Sequence, residues 1–230
     1  MIRPALLTQI FGAAFLGAAL CATAASSAHA ADWIIQNSCT QGQKAAIQNA
    51  RRTAFSWVSK TIGSFDYVKN RKPPAYTTFT TWMGQFADPV PSLVKGAYSG
   101  INGYLDNGKV QADCQTAAPP VPPPNTCYSN PTWIAYTQVG VGATPLVVVL
   151  CNNFFTDSDN GKVNTLIHEL AHRANKLIID QVMPPGAPNA GQGAYGAANV
   201  QWLAANRPEM ASKNAENYNF LAENMYNTRY

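Results

Sequence analysis

Histidine is scarce in this chain, with three in 230 residues, and the formal charge is only +4. Charged residues make up 12% of the chain, and no Lys/Arg cluster longer than Arg51-Arg52 occurs. A nucleic-acid partner is therefore not expected. After the first thirty residues no apolar run approaches the length of a membrane span. No Cys-x-x-C spacing occurs and no histidine neighbours a cysteine, which argues against a cysteine zinc site. No internal repeat is visible.

The opening segment carries Arg3, an apolar run from Ile10 to Ala25, and Ala28-His29-Ala30, which reads as an A-x-A cleavage site. Residues 1–30 are expected to be a signal peptide. Leu20, not a small residue, precedes Cys21, which argues against a lipoprotein anchor. The mature chain should begin near Ala31 and be secreted, extracellular or periplasmic, with no membrane association after cleavage. Its length suits one domain, expected as a monomer. An oxidising compartment favours two disulfides among Cys39, Cys114, Cys127 and Cys151, for which three pairings exist.

Both remaining histidines fall in Thr165-Leu166-Ile167-His168-Glu169-Leu170-Ala171-His172, an H-E-x-x-H pattern. Val163, Leu166, Ile167, Leu170, Ala171, Ala174 and Ile178 recur at helical spacing. On a helix, positions i and i+4 share a face, so His168 and His172 can aim two imidazoles at one Zn2+ ion. Glu169 then lies where it can take a proton from a water that the ion activates.

Around this motif the sequence alternates helices and strands. Thr40-Gln41-Gly42-Gln43 is a capping box, and a helix is expected over about 40–62, ended by Gly63, with Arg51 and Arg52 on its solvated face. Tyr76 to Gly84 is ambiguous between a strand and a helix entry. Pro91 to Leu105 reads as a helix stopped at Asp106-Asn107-Gly108. Residues 117–125 hold five prolines and read as a stiff exposed connection. Thr132–Thr137 and Pro145–Leu150 read as strands of a hairpin turning at Val139-Gly140-Val141-Gly142 and leading into the zinc helix. The helix could continue to Ile179 before the prolines from Pro184 break the pattern. Further helices are expected around Val200 and Leu203, and from Pro208 to about Tyr226.

Taken together, several motifs resemble the deuterolysin or aspzincin metalloendopeptidases, a family that includes peptidyl-Lys metalloendopeptidases. The resemblance is carried by Cys39-Thr40-Gln41-Gly42-Gln43, Thr80-Thr81-Trp82-Met83-Gly84, Leu150 to Phe155, Thr165 to His172, Tyr195-Gly196, and Asn214-Ala215-Glu216-Asn217-Tyr218. It implies residues 31–230 as a single aspzincin-like domain of the α+β, zincin-like class: mostly helical, with a small antiparallel sheet beside the H-E-x-x-H helix. It implies a catalytic zinc on His168, His172 and a downstream Asp, Glu169 as general base, and Tyr195 stabilising the oxyanion. It also implies the pairs Cys39–Cys114 and Cys127–Cys151. Glu216 matches one of the acids that receive a substrate lysine, whereas Asn219 occupies the position of the other.

The family pattern Gly-Thr-x-Asp-x-x-Tyr-Gly is altered here. Counting back from Tyr195 places Gln192 at the ligand position. Counting forward from His172 places Asp180 there, provided the helix stops early, with Asn175 as its end. A helix running to Asp180 would carry the carboxylate roughly 12 Å along the axis, out of reach. Ligand chemistry favours the carboxylate. The expected function is a secreted zinc endopeptidase acting on protein or peptide, with lysine preference as a finer expectation. The alternatives are a catalytically impaired pseudoprotease that binds a peptide or partner, and a zinc amidase acting on cell-wall peptides.

Overall fold

The computed structural model describes residues 32–86, 89–106, 108–116, 126–138 and 145–229. The expected signal peptide, the proline-rich connection, the hairpin turn at 139–142 and Asn107 lie outside the described residues.

The elements run in chain order as β1 (Ile34–Ile35), α1 (Gln41–Lys69), α2 (Ala75–Met83), α3 (Val90–Asp106), β2 (Val110–Gln115), β3 (Ala135–Gln138), β4 (Leu146–Cys151), α4 (Asn152–Thr156), α5 (Asp159–Ala174), α6 (Ala197–Asn206), α7 (Pro208–Ala211) and α8 (Ala215–Asn227). Thr40 starts α1 with both hydrogen bonds of the capping box. The helix does not stop at Gly63. The apolar stripe of Ile47, Ala54, Trp57 and Val58 continues through Phe65 and Val68, so packing carries the helix through the glycine. The ambiguous segment around Thr78 is helical. It ends at Gly84, whose φ of 82° and approach to the Ala204 carbonyl leave no room for a side chain.

Arg51 is not on a solvated face, whereas Arg52 is. Arg51 is 1% exposed. Its Nη1 donates to the Leu105 carbonyl at 2.8 Å, near the end of α3, and its Nη2 meets Asp32 at 3.0 Å.

The sheet is small, as expected, but mixed. Its order is β1-β2-β4-β3, with β1, β2 and β4 parallel and only the β3–β4 pair antiparallel. The expected hairpin partners are thus neighbours at one end, and β2 adds a parallel strand on the far side of β4. Alternation puts Val110, Ala112, Leu146, Val148 and Leu150 into the main core with the helices. Val149 and Cys151 face the other way, against Cys127, Trp133 and Tyr136. Both faces of β4 are therefore covered, which explains its continuous apolar run.

Two disulfides join Cys39 to Cys114 and Cys127 to Cys151. The first ties the lead-in of α1 to β2, and the second ties the 126–131 segment to the end of β4. Among the described residues no helix is long and apolar enough to cross a membrane. Helix α5 packs against α1, α3, α8 and β3, which places it between the other helices and the sheet edge.

Candidate active site

The Ser158 side chain caps α5 by accepting the Gly161 amide, and Asp159 lies in its first turn, where a negative charge suits the helix dipole. His168 and Glu169 are buried on this helix. The helix ends at Ala174, not Ile179: Asn175 adopts an extended backbone, with φ −149° and ψ 122°. The Asn175 side chain then accepts the Leu177 amide at 3.0 Å, and its carbonyl accepts the Ile178 amide at 2.9 Å. This turn sends the chain back along the helix end. Asp180 arrives there anchored on both sides, since Ile179 bridges to Asn214 and Val182 bridges to Gly193.

The turn brings three donor atoms together. His168 Nε2 and His172 Nε2 lie 3.3 Å apart. Asp180 Oδ1 lies 3.0 Å from the first and 3.5 Å from the second. Tetrahedral zinc with ligand bonds of about 2.0–2.1 Å needs donor atoms roughly 3.3–3.4 Å apart. Two imidazoles and a carboxylate at this spacing fit Zn2+. Gln192 is exposed, and its backbone carbonyl accepts the Met183 amide at 2.8 Å.

The remaining ring nitrogens are occupied in a way that suits metal-ligating histidines. His172 Nδ1 donates to the Ile178 carbonyl at 3.0 Å. His168 Nδ1 donates to Glu216 Oε2 at 3.0 Å. Each hydrogen bond fixes the tautomer that leaves Nε2 with its lone pair toward the cluster. Until an ion binds, the same surroundings favour a proton at His168. Burial lowers the proton affinity of His168, but hydrogen bonds to Asp180 and Glu216, with the charges of Glu169 and Asp180, outweigh it and push His168 up to about 10. Burial pushes Asp180 up, yet hydrogen bonds and charges from both histidines hold its carboxyl well below the usual carboxylate range. Three carboxylates converging on one imidazole form a site built for a cation.

Glu169 sits beside the donors without belonging to the triplet. Burial raises its pKa, opposed by His168, His172 and the nearby backbone of Thr137 on β3. Tyr195 is 52% exposed. Its ring centroid is 6.1 Å from that of His168, and its hydroxyl feels the charge of Asp180. Burial and the Asp180 charge hold this phenol well above its ordinary value, so it remains a proton donor. The ring lies against Gly193, where an added Cβ would collide with it.

Glu216 makes its contacts within the site. Its side chain is 15% exposed. Besides His168, it accepts the Gly196 amide at 3.2 Å and the Asn219 amide at 3.1 Å. Helix α8 packs against α5, so a carboxylate in its first turn reaches His168. The backbone groups of Thr137, Ile178 and Gly196 carry no side-chain signal that could have marked them in advance.

The family model described as "Lysine-specific metallo-endopeptidase" matches residues 68–223. The chain is 26% identical over 194 residues to a peptidyl-Lys metalloendopeptidase of Armillaria mellea, covering 83% of this chain and 46% of the relative. It is 26% identical over 189 residues to an extracellular protease of Aeromonas hydrophila, covering 81% and 46%. The chain thus spans about half the length of these curated relatives. The fold resembles that of a zinc peptidase from Grifola frondosa, with TM-score 0.60 and 25% identity over 81% of this chain and 97% of that one.

Proposed function

Because the chain belongs to the lysine-specific metallo-endopeptidase family, matched over residues 68–223, we propose that it is a secreted zinc endopeptidase. The observation that carries this reading is the triplet of His168 Nε2, His172 Nε2 and Asp180 Oδ1, with pair distances of 3.0, 3.3 and 3.5 Å. When bound by these residues, zinc supplies Lewis-acid chemistry, polarising a scissile carbonyl and acidifying a water. Glu169 takes the proton of the attacking water and passes it to the leaving amine, and its burial-raised pKa suits that exchange. The Tyr195 hydroxyl donates a hydrogen bond to the oxyanion that develops on the carbonyl. Glu216 and the Ile178 carbonyl hold the two imidazoles in the required tautomer and orientation.

Two disulfides, the apolar opening segment and an extracellular relative support secretion. The family description supports lysine preference. That preference should be weak, because Asn219 brings no charge and Glu216 is engaged by His168 and Gly196. The test is casein hydrolysis by the purified protein with zinc, with a chelator, and after zinc is restored. Activity lost and regained supports the reading; hydrolysis indifferent to the chelator overturns it.

A further inference from the structure

The side chain of Asn214 is not part of the site, yet it touches the backbone beside two of its members. Asn214 is 1% exposed. Its Oδ1 accepts the amide of Gln181 at 3.1 Å, the residue after Asp180. Its Nδ2 donates to the carbonyl of Ala194 at 3.1 Å, the residue before Tyr195. The second Nδ2 proton goes to Asn217 Oδ1 at 2.7 Å. Asn217 in turn donates to the Trp82 carbonyl at 2.5 Å, near the end of α2, and to the Val200 carbonyl at 3.2 Å in α6. Asn214 also occupies the N-cap position of α8, two residues before Glu216, without a side-chain capping bond.

We propose that Asn214 is the positioning residue that sets Asp180, Tyr195 and Glu216 relative to one another before any metal binds. The proposal rests on the reading of His168, His172 and Asp180 as zinc ligands. The pattern requires one acceptor and two donors from a single small side chain, and the asparagine amide supplies that set. An aspartate at this position would keep the acceptor toward Gln181 but set a bare oxygen against the Ala194 carbonyl and Asn217 Oδ1. An alanine would lose all three bonds and leave buried polar groups unpaired. Asn217 carries the constraint into the core, so the loop bearing Asp180 and the loop bearing Tyr195 are registered against α2 and α6 as well as against each other. Supporting partners of metal ligands are commonly worth 10–100-fold in metal affinity. Asn214 acts through the backbone, so its loss should cost about tenfold.

The test compares wild type, Asn214→Ala, Asn214→Asp and, as a control, Tyr98→Phe. The control removes a buried hydrogen bond to the Tyr218 carbonyl, in the core and two residues beyond Glu216 on α8. Three readouts apply: the zinc dissociation constant by chelator competition, the visible spectrum of the cobalt-substituted protein, and hydrogen exchange of the Gln181 amide in chelator-treated protein. The expected result is about tenfold weaker zinc and an altered cobalt spectrum in both Asn214 variants. Gln181 exchange should accelerate only in Asn214→Ala, and Tyr98→Phe should leave all three readouts unchanged. Folded Asn214 variants with wild-type zinc affinity and cobalt spectrum would overturn the proposal. Should both variants fail to fold, metal-free wild type decides: a protected Gln181 amide supports the clamp, and one exchanging as freely as an unstructured amide overturns it. Wild type that binds no zinc would sink the functional reading instead, while the exchange measurement would still decide whether Asn214 holds the loops.

Discussion

Glu216 holds His168 Nδ1 at 3.0 Å through one oxygen and accepts the Gly196 amide through the other at 3.2 Å. A residue expected to receive the substrate is therefore hydrogen-bonded to an imidazole that the proposed function assigns to the metal. Glu216→Gln should weaken zinc binding by about 10–100-fold, the usual range for such partners. Chelator competition measures it. A variant with full zinc affinity that loses only its discrimination between lysine and neutral substrates would return Glu216 to the substrate pocket.

Glu169 is assigned to proton transfer and not to ligation. Glu169→Gln should keep its zinc while hydrolysis falls by at least about 10²-fold, in the range typical of general acid–base residues. Metal content and casein turnover, measured on one sample, check this. Loss of the metal in this variant would mean that the carboxylate supports the ion itself.

Tyr195 should matter to turnover more than to binding. Tyr195→Phe should lower kcat by about 10²–10³-fold, as loss of an oxyanion donor does elsewhere, with substrate KM little changed. Gly193→Ala should give a milder version of the same defect, because the new methyl would push against the Tyr195 ring. Unchanged kinetics in both variants would remove Tyr195 from the chemistry.

Arg51 and Arg52 should behave differently although they are adjacent. Arg51→Ala leaves the Leu105 carbonyl without its buried donor. It should cost about 1–3 kcal/mol of stability, with specific activity per folded molecule preserved. Arg52→Ala should be close to neutral. Thermal unfolding of both variants is the measurement, and equal midpoints would contradict the burial of Arg51.

The sequence showed most clearly what depends on near neighbours. The H-E-x-x-H face of α5 and the Thr40–Gln43 capping box need only contacts three or four residues apart, and both are present in the structure. Arg51 could have been read better, since it falls within the buried stripe of Ile47, Ala50, Ala54 and Val58. Strand β2 was not legible: Val110-Gln111-Ala112-Asp113-Cys114 has no β-branched run, and its conformation comes from parallel pairing with β4 and the bridge to Cys39. Asn214 was visible only as part of a resemblance. The two loops it holds are 33 and 20 residues away, so no local pattern could reveal them. Asp180 lay between. Its chemistry favoured it over Gln192, but its position depended on whether the helix ended at Asn175, a question of backbone conformation.

The most direct test of the account is a zinc-edge anomalous map from crystals of the zinc-loaded protein. The account predicts one peak, within bonding distance of His168 Nε2, His172 Nε2 and an Asp180 carboxylate oxygen, with Gln192 remote. A peak coordinated by Gln192 instead of Asp180, or no peak on the two histidines despite saturating zinc, would contradict it.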